Sequence, residues 1–134
     1  MKVSALDLDT LVRTVWGEAR GEPELGQAAV IGVIINRWKD PRWPETIIGV
    51  CWQPKQFSCW NNNDPNRKLI ERLDVLSKDY QRLYYLAVQQ LVGIASDPTR
   101  GANHYHATTM KKKPKWASAN QFVLVLGRHA FYKL

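Results

Sequence analysis

Acidic residues are missing from the last quarter of this chain. Residues 99–134 carry 7 basic side chains and no aspartate or glutamate, whereas residues 1–64 hold 7 basic and 8 acidic and residues 65–98 hold 5 and 4. The net charge of +7 is therefore a local surplus, centred on Lys111, Lys112, Lys113 and Lys115. A one-signed patch of this kind expects an anionic partner: nucleic acid, a membrane surface, or a wall or outer-membrane polymer. The plainer alternative is a solvated loop that aids solubility. Cysteine is scarce. Cys51 and Cys59 are the only two, and they form no C-x-x-C pair, which excludes a disulfide framework and a zinc ribbon and leaves two free thiols as the expectation. Long apolar runs are absent as well. No stretch approaches the ~18 residues that span a bilayer, so no stable membrane insertion is expected. The opening M-K-V-S-A-L-D-L-D-T has acids where a secretion signal needs an apolar core, so synthesis and initial retention in a cytoplasm are expected. No internal repeat, low-complexity segment or H-E-x-x-H helix occurs.

What is present describes one domain of 134 residues, 45% hydrophobic, with six tryptophans, enough to bury a core. Ser4 and Asp7 form a capping-box pattern and predict a helix from about residue 5 to 20. A second helix is predicted from Pro23 to Trp38, with Gly21 ending the first at the C′ position and Pro23 opening the next. Its apolar residues, Leu25, Ala28, Ala29, Val30, Ile31, Val33, Ile34 and Ile35, go most of the way round, so it should be the central, buried helix. Residues 39–64 read as a long ordered loop with a short helical turn at 45–48. Asp64-Pro65 predicts a short helix to about residue 74. A helix from Ser77 to about residue 94 follows, with Tyr80, Leu83, Tyr84, Ala87 and Leu91 on one stripe and Asp97-Pro98 at its end. The runs H-Y-H-A, F-V-L-V-L and H-A-F-Y then suggest short strands. The expected class is mainly α (α+β), with a small β element near the C-terminus.

The chain is organised around Trp16 to Arg37. Leu11, Val15 and Glu18 are spaced by four and three residues and share one helical face. A glutamate on an otherwise apolar face points toward the interior or a cleft, where a carboxyl is costly unless protonated or hydrogen-bonded. A carboxyl with a raised pKa is what a general acid requires. The bland reading is a solvated or capping glutamate beside a corner.

Three constellations carry chemistry. Glu18 with Gln56, Phe57, Trp60 and Asn61 combines an acid with aromatic faces and carboxamides, the pairing that covers the C–H faces of a sugar and hydrogen-bonds its rim. The alternative is a packed loop whose aromatics fill the core. His104 and His106, one residue apart on a strand, would share a side and with His129 could ligate zinc. The preferred reading is histidines bordering a cleft without metal. Cys59 with a histidine could form a nucleophile pair, although a cysteine in an aromatic run usually packs as a small hydrophobe. A nucleic-acid module would use the basic tail and exposed tryptophans, but it gives no reason to put Glu18 on an apolar face.

The run W-G-E-A-R-G-E-P-E-L-G-Q-A-A-V-I-G-V-I-I-N-R resembles the signature of the spore-cortex-lytic and related cell-wall hydrolases, a family that includes bacteriophage endolysins. K-Q-F-S-C-W-N at 55–61, A-N-H-Y-H-A at 102–107 with P-K-W-A at 114–117, and G-R-H-A-F-Y at 127–132 agree with it in order. The resemblance implies a lysozyme-like, goose-type or lytic-transglycosylase-related helical fold; members of the family often carry a separate wall-binding domain, whereas a single catalytic domain over 1–134 without one is expected here. It implies cleavage of the bond between N-acetylmuramic acid and N-acetylglucosamine in peptidoglycan. A monomer that needs no cofactor or metal and binds no nucleic acid is expected. Glu18 would be the catalytic acid. Glu22, Gln56, Phe57, Trp60, Asn61, His104, Tyr105, His106 and Trp116 would meet the glycan, and Lys111, Lys112, Lys113 and Lys115 the anionic wall. A phage endolysin held in the host cytoplasm until it is released to the wall fits this picture. After protonation by Glu18, either a second carboxylate completes hydrolysis or the muramic acid's own 6-hydroxyl attacks, giving an anhydro product. Glu22 is the nearest partner candidate, with a cap on the second helix as the alternative role, and Asp64 reads as an N-cap. The transglycosylase route is preferred because no convincing second carboxylate emerges.

Overall fold

Ser4 begins the first helix as its pattern predicts. Its hydroxyl accepts from the Asp7 N–H at 3.0 Å, and the Asp7 carboxylate accepts from the Ser4 N–H at 2.9 Å, so two otherwise orphaned donors are satisfied reciprocally. The other Asp7 oxygen accepts from the Ile48 N–H at 3.1 Å, so one buried carboxylate caps one helix and anchors another. The computed structural model describes residues 2–54 and 56–134; Lys55, the first residue of the K-Q-F-S-C-W-N motif, lies outside the described residues. The helices are α1 (Ala5–Ala19), α2 (Glu24–Lys39), α3 (Ile47–Cys51), α4 (Pro65–Arg72) and α5 (Lys78–Leu91). The strands are β1 (His104–Ala107), β2 (Phe122–Leu126) and β3 (His129–Tyr132), with 3-10 turns at Ser58–Trp60 and Ala119–Gln121.

The corner between α1 and α2 is built differently from the sequence expectation. Pro23 is the N-cap of α2, not its first helical residue, and Gly21 does not take a left-handed φ. The buried side chain of Gln27 closes the corner instead, donating to the Ala19 carbonyl at 3.1 Å. Its own carbonyl accepts from Arg82 on α5 at 2.6 Å. The Ala19 carbonyl accepts this amide together with the Glu22 N–H at 2.9 Å, so the last turn is closed without a left-handed glycine.

Helix α2 is central, as its all-round apolar pattern predicts. Val30, Ile31 and Ile34 join Leu11 and Val15 of α1, Ile47 and Val50 of α3, Ile70 of α4 and Leu83 of α5 in the main core. Ala29 and Val33 face the other way and pack with Ala102 and Phe131 beneath the sheet. Each valine, leucine or isoleucine fully buried in the two clusters contributes about 1.5–3 kcal/mol. Leu25, in the first turn, is exposed and does not belong to this core.

Two helix ends shift for identifiable reasons. Helix α3 runs over Ile47–Cys51 rather than 45–48 because Thr46 is its N-cap, accepting from the Gly49 N–H at 2.9 Å. Helix α5 stops at Leu91, ahead of Asp97-Pro98. Gly93 has φ +81°, and the Ile94 N–H returns to the Gln89 carbonyl at 2.9 Å, a glycine-terminated C-cap.

Asp97 has a different task. It accepts from Asn36 Nδ2 (2.7 Å), the Thr99 N–H (2.8 Å), the Thr99 hydroxyl (2.7 Å) and the Gly101 N–H (2.9 Å). Its carboxylate lies against Gly32, where any Cβ would collide with it. This knot fixes the start of β1 to α2. The sheet is antiparallel in the order β1-β3-β2, with Tyr105 opposite Phe131 and Ala107 opposite His129.

Candidate active site

Glu18 stands in the last turn of α1, on the face of Leu11 and Val15, both fully buried. Its Oε1 accepts from the Tyr105 hydroxyl of β1 at 2.9 Å. The Ser58–Trp60 turn presses on α1 immediately before it. A Cβ on Gly17 would meet Ile70 Cγ2 at 2.9 Å and Cys59 Cβ at 3.0 Å, so only glycine lets that turn come close enough to reach Glu18. Burial pushes the Glu18 pKa up. Hydrogen bonds from Tyr105 and then Cys59 pull it back part of the way, and the charge of Asp64 adds to the rise. Tyr105, half-buried in the cleft wall, is held well above its ordinary pKa by desolvation and by Glu18, so it remains a donor. Glu18, its pKa raised by burial, thus sits at the edge of a cleft, on the face that helical spacing predicts.

That cleft has a volume of about 600 Å³. Glu18 and Arg37 form its helical side, Gln56, Phe57 and Ser58 its loop side, and His104, Tyr105, His106, Trp116 and His129 its sheet side. The buried Arg37 organises the loop: Nη1 donates to Gln56 Oε1 at 2.9 Å and Nε to the Asn103 carbonyl at 2.7 Å. Its guanidinium lies 5.6 Å from the Phe57 ring. Strand alternation puts His104 and His106 on the face opposite Tyr105. There Trp116 packs 4.8 Å from His104 and 5.9 Å from His106. Burial first, then the charges of Arg37 and Arg42, lower the His104 pKa to about 4, so it is neutral at neutral pH.

The zinc arrangement is not assembled. His106 spends both ring nitrogens on protein oxygens, the Ala107 carbonyl at 2.9 Å and the Tyr132 hydroxyl at 3.0 Å. His104 Nδ1 lies 2.8 Å from Asn103 Oδ1, and no group of three or more potential ligands forms among the described residues. Cys59 faces Glu18 rather than a histidine, and burial and that carboxyl push its thiol pKa up. Both cysteines are free and buried.

Glu22 does not cap α2. It lies in an adjoining pocket of about 230 Å³ that Glu18 also borders. Its carboxylate accepts from the Arg128 N–H at 3.0 Å and lies 3.3 Å from His129 Nδ1. That nitrogen is buried and off the line a hydrogen bond needs. Gly127, at φ +58°, lets the β2–β3 turn close over the carboxylate, since a Cβ there would sit 3.1 Å from Oε2. Trp60 and Asn61 are not brought to the Glu18 cleft. Trp60 packs on Trp52 and donates from Nε1 to Thr14 Oγ1 at 2.8 Å, and Asn61 is exposed beside it. Lys111, Lys112, Lys113 and Lys115 are exposed on the loop that also sends Met110, Pro114 and Trp116 into the cleft wall. Asp64 caps α4, accepting from the Asn66 N–H at 2.8 Å. Sequence reasoning missed Arg37 and Ser58. Arg37 closes the N-R pair of the first motif, but a basic residue in a last helical turn reads equally well as a dipole partner.

A model of the cell wall hydrolase family matches residues 21–132. The chain belongs to the cell wall hydrolase family. Spore cortex-lytic enzymes of Halalkalibacterium halodurans and Bacillus subtilis are 44% identical to it over 52 residues, 39% of this chain. Those segments span only 16% and 17% of the two relatives. The crystal structure of the catalytic domain of the Bacillus cereus SleB protein superimposes with a TM-score of 0.77 at 28% identity, covering 98% of this chain and 93% of that one. The catalytic domain of the germination-specific lytic transglycosylase SleB from Bacillus anthracis gives 0.74 at 28%, covering 97% and 96%. The lysozyme-like helical fold is thus the fold of this cell wall hydrolase. Glu18 lies just ahead of the span matched by the family model, so its role rests on geometry.

Proposed function

We propose that this cell wall hydrolase cleaves the glycosidic bond between N-acetylmuramic acid and N-acetylglucosamine in peptidoglycan, as a lytic transglycosylase with Glu18 as acid and base. The observation that carries this is the Glu18 carboxyl, raised in pKa by burial, hydrogen-bonded by Tyr105 and opening on a cleft of aromatic and amide side chains. Protonated Glu18 gives its proton to the glycosidic oxygen as the C1–O bond breaks. The resulting carboxylate then takes the proton of the muramic acid 6-hydroxyl as that oxygen bonds to C1, which leaves a 1,6-anhydro end and restores the acid. Among the described residues Glu18 is the one carboxylate lining the main cleft, and Glu22 is held by the backbone N–H and guanidinium of Arg128. Hydrolysis by water through a second carboxylate is the runner-up, with Glu22 as that carboxylate. The likeness to a germination-specific lytic transglycosylase supports the first route.

Two finer readings go with it. The exposed lysines at 111, 112, 113 and 115, on the loop that walls the cleft, draw the enzyme to anionic wall polymers, an attraction that salt weakens. As a phage endolysin, the protein waits in the host cytoplasm and acts once the membrane opens, a role that rests on the motif resemblance alone. Expressed in a host, it should lyse cells only after the inner membrane is permeabilised. Mass spectrometry of fragments released from purified peptidoglycan tests the chemistry. Ends lighter by one water than reducing muramic acid fit the transglycosylase, reducing ends would move the reaction to hydrolysis and to Glu22, and freed peptides with intact glycan would refute the assignment.

A further inference from the structure

Trp60 and its neighbours, absent from the Glu18 cleft, build a surface of their own. Trp52, just past α3, is 54% exposed. Its ring meets Trp60 edge-on, with centroids 5.7 Å apart and planes at 67°. Trp60 is locked from behind by Thr14 at 2.8 Å, and the Arg67 guanidinium lies 5.9 Å from its ring. Trp52, Trp60 and Arg67 enclose a hollow of about 210 Å³. Arg67 also borders a second, broader hollow of about 640 Å³ walled by Asn62, Asn63, Asp64, Lys68 and Glu71. Indole faces therefore lead directly into a trough of carboxamides and charges.

We infer that this trough is a second glycan-binding site, separate from the cleft, which holds an amino-sugar strand of the same wall polymer. Three features select that ligand. The aromatic hollow offers apolar faces suited to sugar C–H groups, and the adjoining trough offers the amide and charged partners that hydroxyl and acetamido groups need. Charge argues against a polyanion, because Asp64 and Glu71 balance Arg67 and Lys68 along the trough. The site is also preorganised. Arg67 donates to the Trp60 carbonyl at 2.6 Å, Asn62 Oδ1 at 2.9 Å and Glu71 Oε1 at 3.1 Å, so little ordering is left for binding to impose. The segment that presents Gln56, Phe57 and Ser58 to the Glu18 cleft passes through the 3-10 turn and presents Trp60 here. One loop thus serves both surfaces, and a strand held at Trp52 keeps the enzyme on insoluble wall between cuts. The polymer's identity rests on the proposed function; the presence of a sugar site does not.

The test uses the full chain carrying Glu18→Gln, so that bound glycan is not consumed, with and without Trp52→Ala. Trp52 lies outside the core, so the double variant should melt within a few degrees of the single one. Cosedimentation with insoluble peptidoglycan should weaken about tenfold on Trp52→Ala, with Trp52→Phe intermediate. Chitotetraose should shift the indole N–H resonance that Trp52→Ala removes. In the Glu18 background, Trp52→Ala should cleave short soluble glycan at the parent rate but insoluble wall more slowly. Unchanged sedimentation, or an indole signal indifferent to chitotetraose, overturns the site while leaving the cleavage reading intact. A parent chain that does not cleave glycan yet binds wall through Trp52 keeps the site and overturns the cleavage reading.

Discussion

Replacing Glu18 by glutamine separates catalysis from stability with almost no change in shape. The amide keeps an oxygen for the Tyr105 hydroxyl and loses only the titrating proton. General acid catalysis contributes about 10²–10⁴ in rate, or about 3–5 kcal/mol of barrier, so wall-degrading activity should fall by at least about a hundredfold. Stability should move the other way. Burial raises the folded pKa of Glu18 above its ordinary value, so the native state holds this proton more tightly than the unfolded chain. Native stability from this group is then greatest below the ordinary carboxylate range and declines as pH rises through the folded pKa. Each unit of elevation costs about 1.4 kcal/mol above that pH, and about 1 kcal/mol moves the Tm of a domain this size by about 4 °C. Glutamine has no such dependence. The variant's Tm should therefore match the parent's near pH 4 and equal or exceed it at pH 7–8, by a gap that opens as pH rises. Thermal melts across that range, beside turbidity loss of a wall suspension, read both quantities. A variant that keeps near-full activity, or one several degrees less stable than the parent at pH 7 alone, would refute the buried-acid reading, the second by revealing an ion pair.

Other perturbations probe the same site and its scaffold. Tyr105→Phe removes a donor that lowers the Glu18 pKa. The alkaline limb of the rate profile should move to higher pH, with a stability loss of about 1 kcal/mol in melts; an unmoved limb would mean that the hydroxyl does not touch the catalytic proton. Asp97→Ala orphans four donors that tie β1 to α2 and should cost about 3 kcal/mol, or about 10 °C in Tm. A thiol reagent at pH 7.5 should leave both activity and mass unchanged, because burial pushes Cys51 up to about 12 and raises Cys59 as well. Rapid inactivation would return Cys59 to the candidate nucleophiles.

Much of the architecture follows from local chemistry that a sequence displays. The Ser4–Asp7 box, the Asp64-Pro65 start, the helix opening at Ser77 and the three strand runs each depend on neighbours a few residues away. The buried setting of α2 is legible because its apolar residues leave no polar face. Glu18 is legible because helical periodicity fixes its direction relative to Leu11 and Val15. The boundaries that moved, at Pro23, Thr46 and Gly93, are places where two plausible caps compete and tertiary partners choose between them. At the α1–α2 corner the Ala19 carbonyl is shared between the local Glu22 N–H and the side chain of Gln27, eight residues beyond it.

The site divides along the same line. Sequence alone determined that an acid would stand on an apolar helical face, that an aromatic and amide loop would lie somewhere near it, and that positive charge would gather at the C-terminal end. Only tertiary structure decided which of those groups meet. The Tyr105 hydroxyl reaches Glu18 across 87 residues, Arg37 organises Gln56 and Phe57 from the far end of α2, and Glu22 turns toward the β2–β3 loop rather than its own helix. The split within Q-F-S-C-W-N, with Phe57 lining the cleft and Trp60 a separate hollow, comes with a 3-10 turn seated on Gly17. Spacing along the chain specifies direction only within a regular element. Across a loop, direction is set by whatever the loop packs against, and that information resides in the folded core.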